Sequence, residues 1–236
     1  MIVSSDPDYF DTKLVKQGKK QLEPAFQELA DWVFDTFGTK PLNIYYDKIE
    51  VDKNRPRLNI IFEYYDSVLK FRDKIGNYDS AKQKMIADKF KQILGAEANA
   101  NGNYLTRLFK KVEHHTYDTN RLLVIFDAFE PIAREEVNGK IPKETIDNLK
   151  KELKSKDIWE IYPEFASTTY FFHTDKQIED AKRNGTTEEM KKQYYDLLKK
   201  YDEFNYIKPD TFFLTFDSKE NFDKTYQGNW FYYSRR

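Results

Sequence analysis

The sequence predicts an α+β protein in which an antiparallel sheet, or sheets, carry amphipathic helices on one face. Helical and strand-like segments alternate along the 236 residues. Two adjacent β-prone segments indicate a hairpin, which requires antiparallel pairing. Aromatic residues make up 17% of the chain, so the core can be large although only 39% of the residues are hydrophobic. We expect one globular domain over residues 1–236, with two related halves, 1–140 and 141–236, as the alternative.

The first helix and the hairpin have the clearest local patterns. Apolar residues recur at helical spacing over residues 22–37, and Gly38 follows as a typical helix terminator. Segments 43–51 and 58–65 are rich in Ile, Val, Tyr and Phe, with turn residues between them. Residues 67–75 alternate in a similar way and predict a third strand.

The rest of the chain alternates predicted helices with predicted strands. The helices begin at Ser80, Pro142, Asp175 and Thr186. The strands are 122–129, 168–174, 211–217 and 230–233. The motifs VIFDAFE (124–130) and LTFDSKE (214–220) share Phe, Asp and Glu in register, which is the reason for considering two related halves.

Composition and motif content exclude several classes of chemistry. The chain has no cysteine, which excludes disulfides, thiolate catalysis and Cys-ligated metals. It contains no GxGxxG, GxxxxGK[ST], GxSxG or HExxH motif, so we predict no catalytic residue, no metal ligand and no cofactor. A formal net charge of −1 argues against a nucleic-acid partner. Without a long apolar run or a secretory signal, we expect no membrane partner and a cytoplasmic location.

Negative charge is concentrated in residues 157–180, which contain six Asp/Glu and one Lys. Such a segment is either a solvated surface or a docking surface for a basic partner. Aromatic residues, Tyr and Trp above all, are enriched at the anchors of protein interfaces. The predicted partner-binding residues are Trp159, Glu160, Glu164, Asp175, Glu179 and Asp180, together with Tyr45, Tyr64 and Tyr65 on the hairpin.

The last third of the chain combines a long amphipathic helix, a strand and an aromatic-rich segment. These are EEMKKQYYDLLKKYDEF (188–204), DTFFLTFDSKENF (210–222) and NWFYY (229–233). In this order they resemble the YezG-type immunity proteins of bacterial toxin systems. The resemblance implies a non-enzymatic α+β inhibitor that binds and occludes a toxin domain. The leading hypothesis is therefore a bacterial immunity protein with a protein partner, more specifically a basic toxin domain.

The alternative hypothesis is a metal-dependent hydrolase or nuclease without a recognisable motif. It would use Asp127 or Asp217, each of which comes at the end of a predicted buried strand, with Glu or His partners. Asp residues at such positions also begin turns and cap helices. A rise in Tm on addition of Mg²⁺, Mn²⁺ or Zn²⁺ would favour the alternative, because a ligand that binds only the folded state stabilises it.

Overall fold

The chain forms two compact units, Met1–Glu130 and Pro131–Arg236, each with its own three-stranded sheet. The structure, a computed structural model, describes residues 4–100, 117–153 and 157–235, without the side chains of 97–100. No helix in these ranges is long and apolar enough to cross a membrane. Helices pack against both sheets, so the predicted α+β class is confirmed.

The first unit has helices before, between and after its strands. Its elements are α1 (Pro7–Lys16), α2 (Pro24–Phe37), β1 (Asn43–Ile49), β2 (Arg55–Phe62), α3 (Tyr65–Leu69), α4 (Ser80–Ala100), β3 (Leu123–Ala128) and the start of α5 (Phe129–Gly139). The predicted hairpin is confirmed, with Lys53 and Asn54 in the left-handed conformation at its turn. The core side of β2 is formed by alternate residues, Leu58, Ile60 and Phe62, which pack with α2 and α4.

Helix α1 lies on the opposite face of this sheet. The Asn43 amide donates to Thr12 Oγ1 over 3.0 Å, and the Asn59 amide donates to Asp8 Oδ2 over 3.0 Å. The prediction that helices cover only one face is therefore wrong, because the second face carries polar strand residues that α1 matches with polar residues of its own. This polar layer is the part of the fold that creates the site described below.

The second unit repeats the strand arrangement of the first. Its elements after α5 are α6 (Lys143–Leu153), β4 (Ile158–Glu164), β5 (Ser167–Phe172), α7 (Asp175–Arg183), α8 (Thr186–Lys199), β6 (Phe213–Ser218), α9 (Lys219–Tyr226) and α10 (Trp230–Tyr233). The sheet orders are β1–β2–β3 and β4–β5–β6. In the pairing registers, Ile61 lies opposite Asp127 just as Phe171 lies opposite Asp217. Asp127 and Asp217 therefore occupy the same position of the shared topology.

Both sheets are mixed rather than purely antiparallel. The hairpins supply the antiparallel pairs β1–β2 and β4–β5, but β3 and β6 each run parallel to the central strand. A parallel neighbour requires a crossover connection, and helices lie in both connections. The prediction of antiparallel sheets was wrong on this point because the hairpin signal is local, whereas the parallel pairing joins strands that are distant in sequence.

Two segments that were predicted as strands are helical in whole or in part. Residues 67–75 contain the end of α3 and a loop, because Val68 and Phe71, three residues apart, are the positions that enter the core. Residues 230–233 form α10, in which Trp230 and Tyr233 share one side and both contact the Phe222 ring. Their β-prone composition was overridden by this packing on α9.

Candidate functional site

A cleft of about 430 Å³ opens along β1 in the first unit. β1 is an edge strand, since it pairs only with β2 among the described strands. The chain between α1 and α2 forms the other wall, and we call this cavity the outer cleft. Its tyrosine and charged lining residues are Asp11, Lys20, Glu23, Tyr45, Tyr46 and Tyr117.

A second cavity of about 200 Å³, the inner pocket, shares Tyr45 with the outer cleft. Residues of three neighbouring strands reach it, because alternate residues of a strand lie on one face and paired residues lie side by side. Asp47 pairs with Arg57 and Tyr45 pairs with Asn59 in the β1–β2 register. The charged and amide residues that line the inner pocket are Asp6, Asp8, Asp47, Arg57, Asn59 and Asp127.

The two cavities together carry six carboxylates and two cations. Both cations already bind carboxylates of the same lining. Lys20 forms an ion pair with Asp11. Arg57 donates from Nε to Asp47 Oδ1 over 2.8 Å and from a second nitrogen to the other oxygen. The cavities are therefore negatively charged overall.

Burial changes the proton affinity of the acids at the inner pocket. Asp8 is only 6% exposed, and burial raises its pKa, with the amide of Asn59 offsetting part of the shift. Burial also raises the pKa of Asp127. The pKa of Tyr45 is raised by burial and then by the negative charge of nearby carboxylates, Asp47 first. Shifted acids of this kind are frequent at binding and catalytic sites.

Two oxygen atoms at the inner pocket lack a hydrogen-bond donor among the described residues, Asn59 Oδ1 and Asp127 Oδ2. Asn59 is 1% exposed, and its amide nitrogen is used by Asp8. Turning the Asn59 amide over would place its oxygen against the Asp8 carboxylate, so the observed orientation is the favourable one. A buried acceptor without a donor costs about 1–3 kcal/mol. The fold tolerates that cost at the inner pocket.

Asp217 has the opposite environment in the second unit. Its Oδ1 accepts from the Ser218 backbone N–H over 2.7 Å and from the Asn221 amide over 2.9 Å. Its Oδ2 accepts from the Tyr233 hydroxyl over 2.8 Å. Of the two aspartates considered for hydrolase chemistry, Asp217 is thus occupied by structural hydrogen bonds, and Asp127 lies in a pocket. Among the described residues, no three His, Cys, Asp or Glu side chains are grouped so that they could hold a metal ion.

Exchanging each aspartate for asparagine should have opposite effects on stability. We expect Asp127→Asn to raise the free energy of unfolding by about 1 kcal/mol at pH 7, because the new amide can donate to Asn59 Oδ1 and no charge is buried. We expect Asp217→Asn to lower it by about 1–3 kcal/mol, because three hydrogen bonds to a charged carboxylate are exchanged for weaker ones to a neutral amide. Urea denaturation of both variants and the wild type measures these changes.

The pH dependence of the Asp127→Asn comparison has a defined sign. Since the pKa of Asp127 is raised by folding, the folded state holds a proton that the unfolded chain has already lost. The stability that wild-type Asp127 contributes is therefore present at acid pH and is lost as pH rises through the raised pKa. The advantage of the variant should grow over the same window. An advantage that shrinks with rising pH would show that Asp127 is stabilising as a carboxylate.

Most of the binding residues predicted from 157–180 lie around the β6–α9 junction and on α7. The Lys219 ammonium lies 5.3 Å from the centre of the Trp159 ring. The Asp175 backbone N–H donates to Glu220 over 3.2 Å. Glu179, one turn after Asp175 on α7, is exposed. Three of the predicted binding residues, Asp175, Glu179 and Asp180, thus lie on one helix.

Ion pairs reduce the negative charge that this segment presents. Glu160 binds Lys150 with an N–O distance of 2.7 Å, and Asp180 binds Arg183. Glu164 ends β4 and is half-buried. The negative charge of residues 157–180 is therefore partly neutralised by Lys150 and Arg183, which lie outside that range.

The three hairpin tyrosines occupy two different places. Tyr45 lies on β1 and contributes to both cavities. Tyr64 and Tyr65 follow the end of β2 and are 52% and 49% exposed. Tyr45 pairs with Asn59 in the middle of the hairpin, whereas Tyr64 and Tyr65 lie beyond the end of β2. The structure therefore does not bring all three tyrosines together.

Among the polar residues that line the cavities, the sequence analysis identified only Tyr45 and Asp127. The signal for Asn59 is its place inside the apolar run LNIIF of β2, where a polar residue needs an explanation. Arg57 lies two residues earlier and shares its face. Missed acids such as Asp8, Asp11 and Asp47 resemble the many exposed acids of the chain in sequence.

Comparison with known proteins adds no relative. The chain matches no protein-family model, and neither a curated protein nor a solved structure is significantly similar to it.

Proposed function

We propose that the protein is a non-enzymatic protein-binding module, most concretely an immunity protein that binds and occludes a basic toxin domain in the bacterial cytoplasm. The observation that carries this proposal is the acidic cleft of the first unit. Its six carboxylates and two paired cations lie beside three tyrosines and an open strand edge.

Charge is the first support for this partner class. The two neighbouring cavities gather six carboxylates and two cations, although the whole chain has a formal net charge of only −1. A concave surface of one sign concentrates its potential and steers a partner of the opposite sign. A toxin domain with a basic surface is the partner that such a cleft would attract.

The tyrosines and the strand edge are the second support. Tyr45 and Tyr46 are half-buried on β1, and the Tyr46 and Tyr117 rings meet edge to face with centroids 4.9 Å apart. Tyrosines held by such contacts lose little conformational entropy when a partner binds. The outer edge of β1 also offers backbone donors and acceptors to an extended segment of a partner.

Reversing charge in the outer cleft tests the proposal. In Asp11→Lys/Glu23→Lys, we expect the association rate with the partner at low salt to fall at least about tenfold, because electrostatic steering is lost. The partner is captured from native lysate on tagged wild-type protein, purified and used in stopped-flow binding at low and high salt. The difference between wild type and variant should shrink at high salt.

Two further variants make the result specific. Asp35→Lys/Glu50→Lys reverses two exposed acids outside both cavities and should keep most of the wild-type association rate. Reversal of Glu160, Glu164, Glu179 and Asp180 tests the surface predicted from sequence. Equal rates for the cleft variant and the exposed-acid variant would refute the cleft as the binding surface. Loss of rate only in the four-residue variant would place the interface on the second unit.

A further inference from the structure

The inner pocket has hydrogen-bond acceptors in excess of donors. Asp127 Oδ2 and Asn59 Oδ1 have no donor among the described residues, and both belong to residues that line the same 200 Å³ cavity. Asn59 is only 1% exposed, so its oxygen has little access to bulk water as a hydrogen-bond donor. A ligand with several N–H or O–H donors could satisfy both of these oxygens.

The charge of the lining selects a cation over a neutral donor. Four carboxylates and one guanidinium line the inner pocket, and the Arg57 guanidinium is held by Asp47 through two nitrogens. Asp8 and Asp127 are left without a basic side chain in hydrogen-bond contact among the described residues. At Asp127, burial outweighs the positive charges of the amino terminus and of Arg57, and the pKa is raised. A cationic ligand would add compensation for buried negative charge that a neutral ligand cannot supply.

In the second unit, Asp217 occupies the position equivalent to Asp127 and has hydrogen-bond donors at both carboxylate oxygens. There the Tyr233 hydroxyl donates to Asp217 Oδ2, and the aromatic cluster of α9 and α10 covers that face of the sheet. In the first unit, α1 covers the corresponding face, and the inner pocket lies beside Asp127. Both oxygens of Asp217 thus accept from a donor, whereas one oxygen of Asp127 has none among the described residues.

We infer that the inner pocket binds a single alkylammonium or guanidinium group, supplied by a lysine or arginine side chain of the protein partner. Either group combines a positive charge with three or more N–H donors. A cavity of about 200 Å³ accommodates such a side-chain terminus but not a whole folded segment. The identity of the source rests on the proposed function, whereas the chemistry of the pocket does not.

A titration with small probes tests the pocket directly. The probes are Nα-acetyl-lysine methylamide, the matching arginine compound and the uncharged Nα-acetyl-norleucine methylamide, and the readout is the ¹H–¹⁵N signal of the Asn59 side-chain amide. We expect saturable shifts with the two charged probes and none with norleucine. Asp127→Asn should weaken binding of the charged probes at least about tenfold, since it replaces a charged acceptor of their N–H groups with a neutral amide. Asp223→Asn, which changes an exposed acid of α9, should leave it unchanged.

The remaining arms identify the source of the cation. Spermidine that binds at least tenfold more tightly than the lysine and arginine probes would overturn the side-chain source in favour of a free amine. Because the positive charge of the amino terminus lowers the pKa of Asp127, the α-amino group can compete with the probes. Tighter probe binding in a sample whose α-amino group is acetylated would support the pocket chemistry. Equal shifts with lysine and norleucine, or shifts with MgCl₂ alone, would overturn the inference.

The probe titration tests the pocket, and the partner assay tests the proposed function, so either one can give a negative result without the other. Probe binding needs no protein partner, so it can succeed where partner capture fails. A partner whose affinity is the same for wild type and Asp127→Asn would overturn the inference and leave the proposed function standing.

Discussion

Replacing Phe71 with alanine should lower the free energy of unfolding of the first unit by about 3–5 kcal/mol. Phe71 is fully buried, and its ring lies 4.5 Å from the Phe126 ring and 5.0 Å from the Phe62 ring, measured between centroids. Both pairs are stacked, and Phe37 adds an edge contact at 5.1 Å. The substitution therefore removes buried area and three aromatic contacts and leaves a cavity beside β2 and β3.

Hydrogen exchange followed by mass spectrometry measures this effect where it occurs. Peptides from β2 and β3 should exchange faster in Phe71→Ala by the factor that corresponds to the lost stability. Phe34→Ala is the matched control, since Phe34 on α2 is 51% exposed and should cost less than about 1 kcal/mol. Equal exchange in both variants would mean that the aromatic stack does not hold the first unit together.

Replacing Asn138 with leucine should destabilise the second unit by about 3 kcal/mol. From α5, its amide donates to the Phe165 and Ser167 carbonyls, each over 2.9 Å. Its oxygen accepts from the Tyr194 hydroxyl over 2.6 Å. Leucine has similar volume but satisfies none of these groups. Phe165 also has a left-handed φ of 49° in the β4–β5 turn, so the lost bonds support a strained position.

The control for Asn138 is Asn148→Leu on α6, where the side chain is exposed. Its effect should stay within about 0.5 kcal/mol, because surface substitutions away from special features are small. Urea denaturation monitored by tryptophan fluorescence in a Trp32→Phe background reports on the second unit, since the remaining tryptophans, Trp159 and Trp230, both lie there. If both leucine variants unfold at the same urea concentration, Asn138 has no structural role.

Local patterns of the sequence were sufficient for the hairpin and several helices. The turn between β1 and β2 is marked by neighbouring polar residues, and the stripe of α2 ends at Gly38, which has a left-handed φ of 67°. β4 was not identified, because Pro163 and the acids around it resemble a solvated segment. The core faces of strands such as β4 become visible only once a partner strand defines them.

Non-local contacts explain what the sequence left open at the site. Asp127 was considered because it comes at the end of an apolar strand, but its neighbours come from distant parts of the chain. The hydrogen bond between Asn59 and Asp8 joins residues 51 positions apart. No spacing rule links such residues, so the acidic cleft could not be predicted, whereas the acidic segment 157–180 was apparent from composition alone.

The two units place an aspartate at the same position of one strand topology, in opposite environments. At Asp217, the second unit uses Tyr233 and Asn221 to complete the carboxylate, and the position is structural. At Asp127, the first unit leaves an oxygen without a donor among the described residues. Comparison within one chain thus separates a stabilising aspartate from one that we assign to binding.

The parallel strand in each sheet also affects how the chain folds while it is being translated. β2 can pair with β1 as soon as the hairpin has left the ribosome, but sixty residues separate Phe62 from Leu123 in β3. At about 5–20 residues per second, the second edge of β2 remains uncovered for about 3–12 s. An apolar strand with an open edge can pair with other chains during that time. Slow synthesis of residues 63–122 should therefore favour aggregation of the nascent chain, and chaperone binding in that interval should protect it.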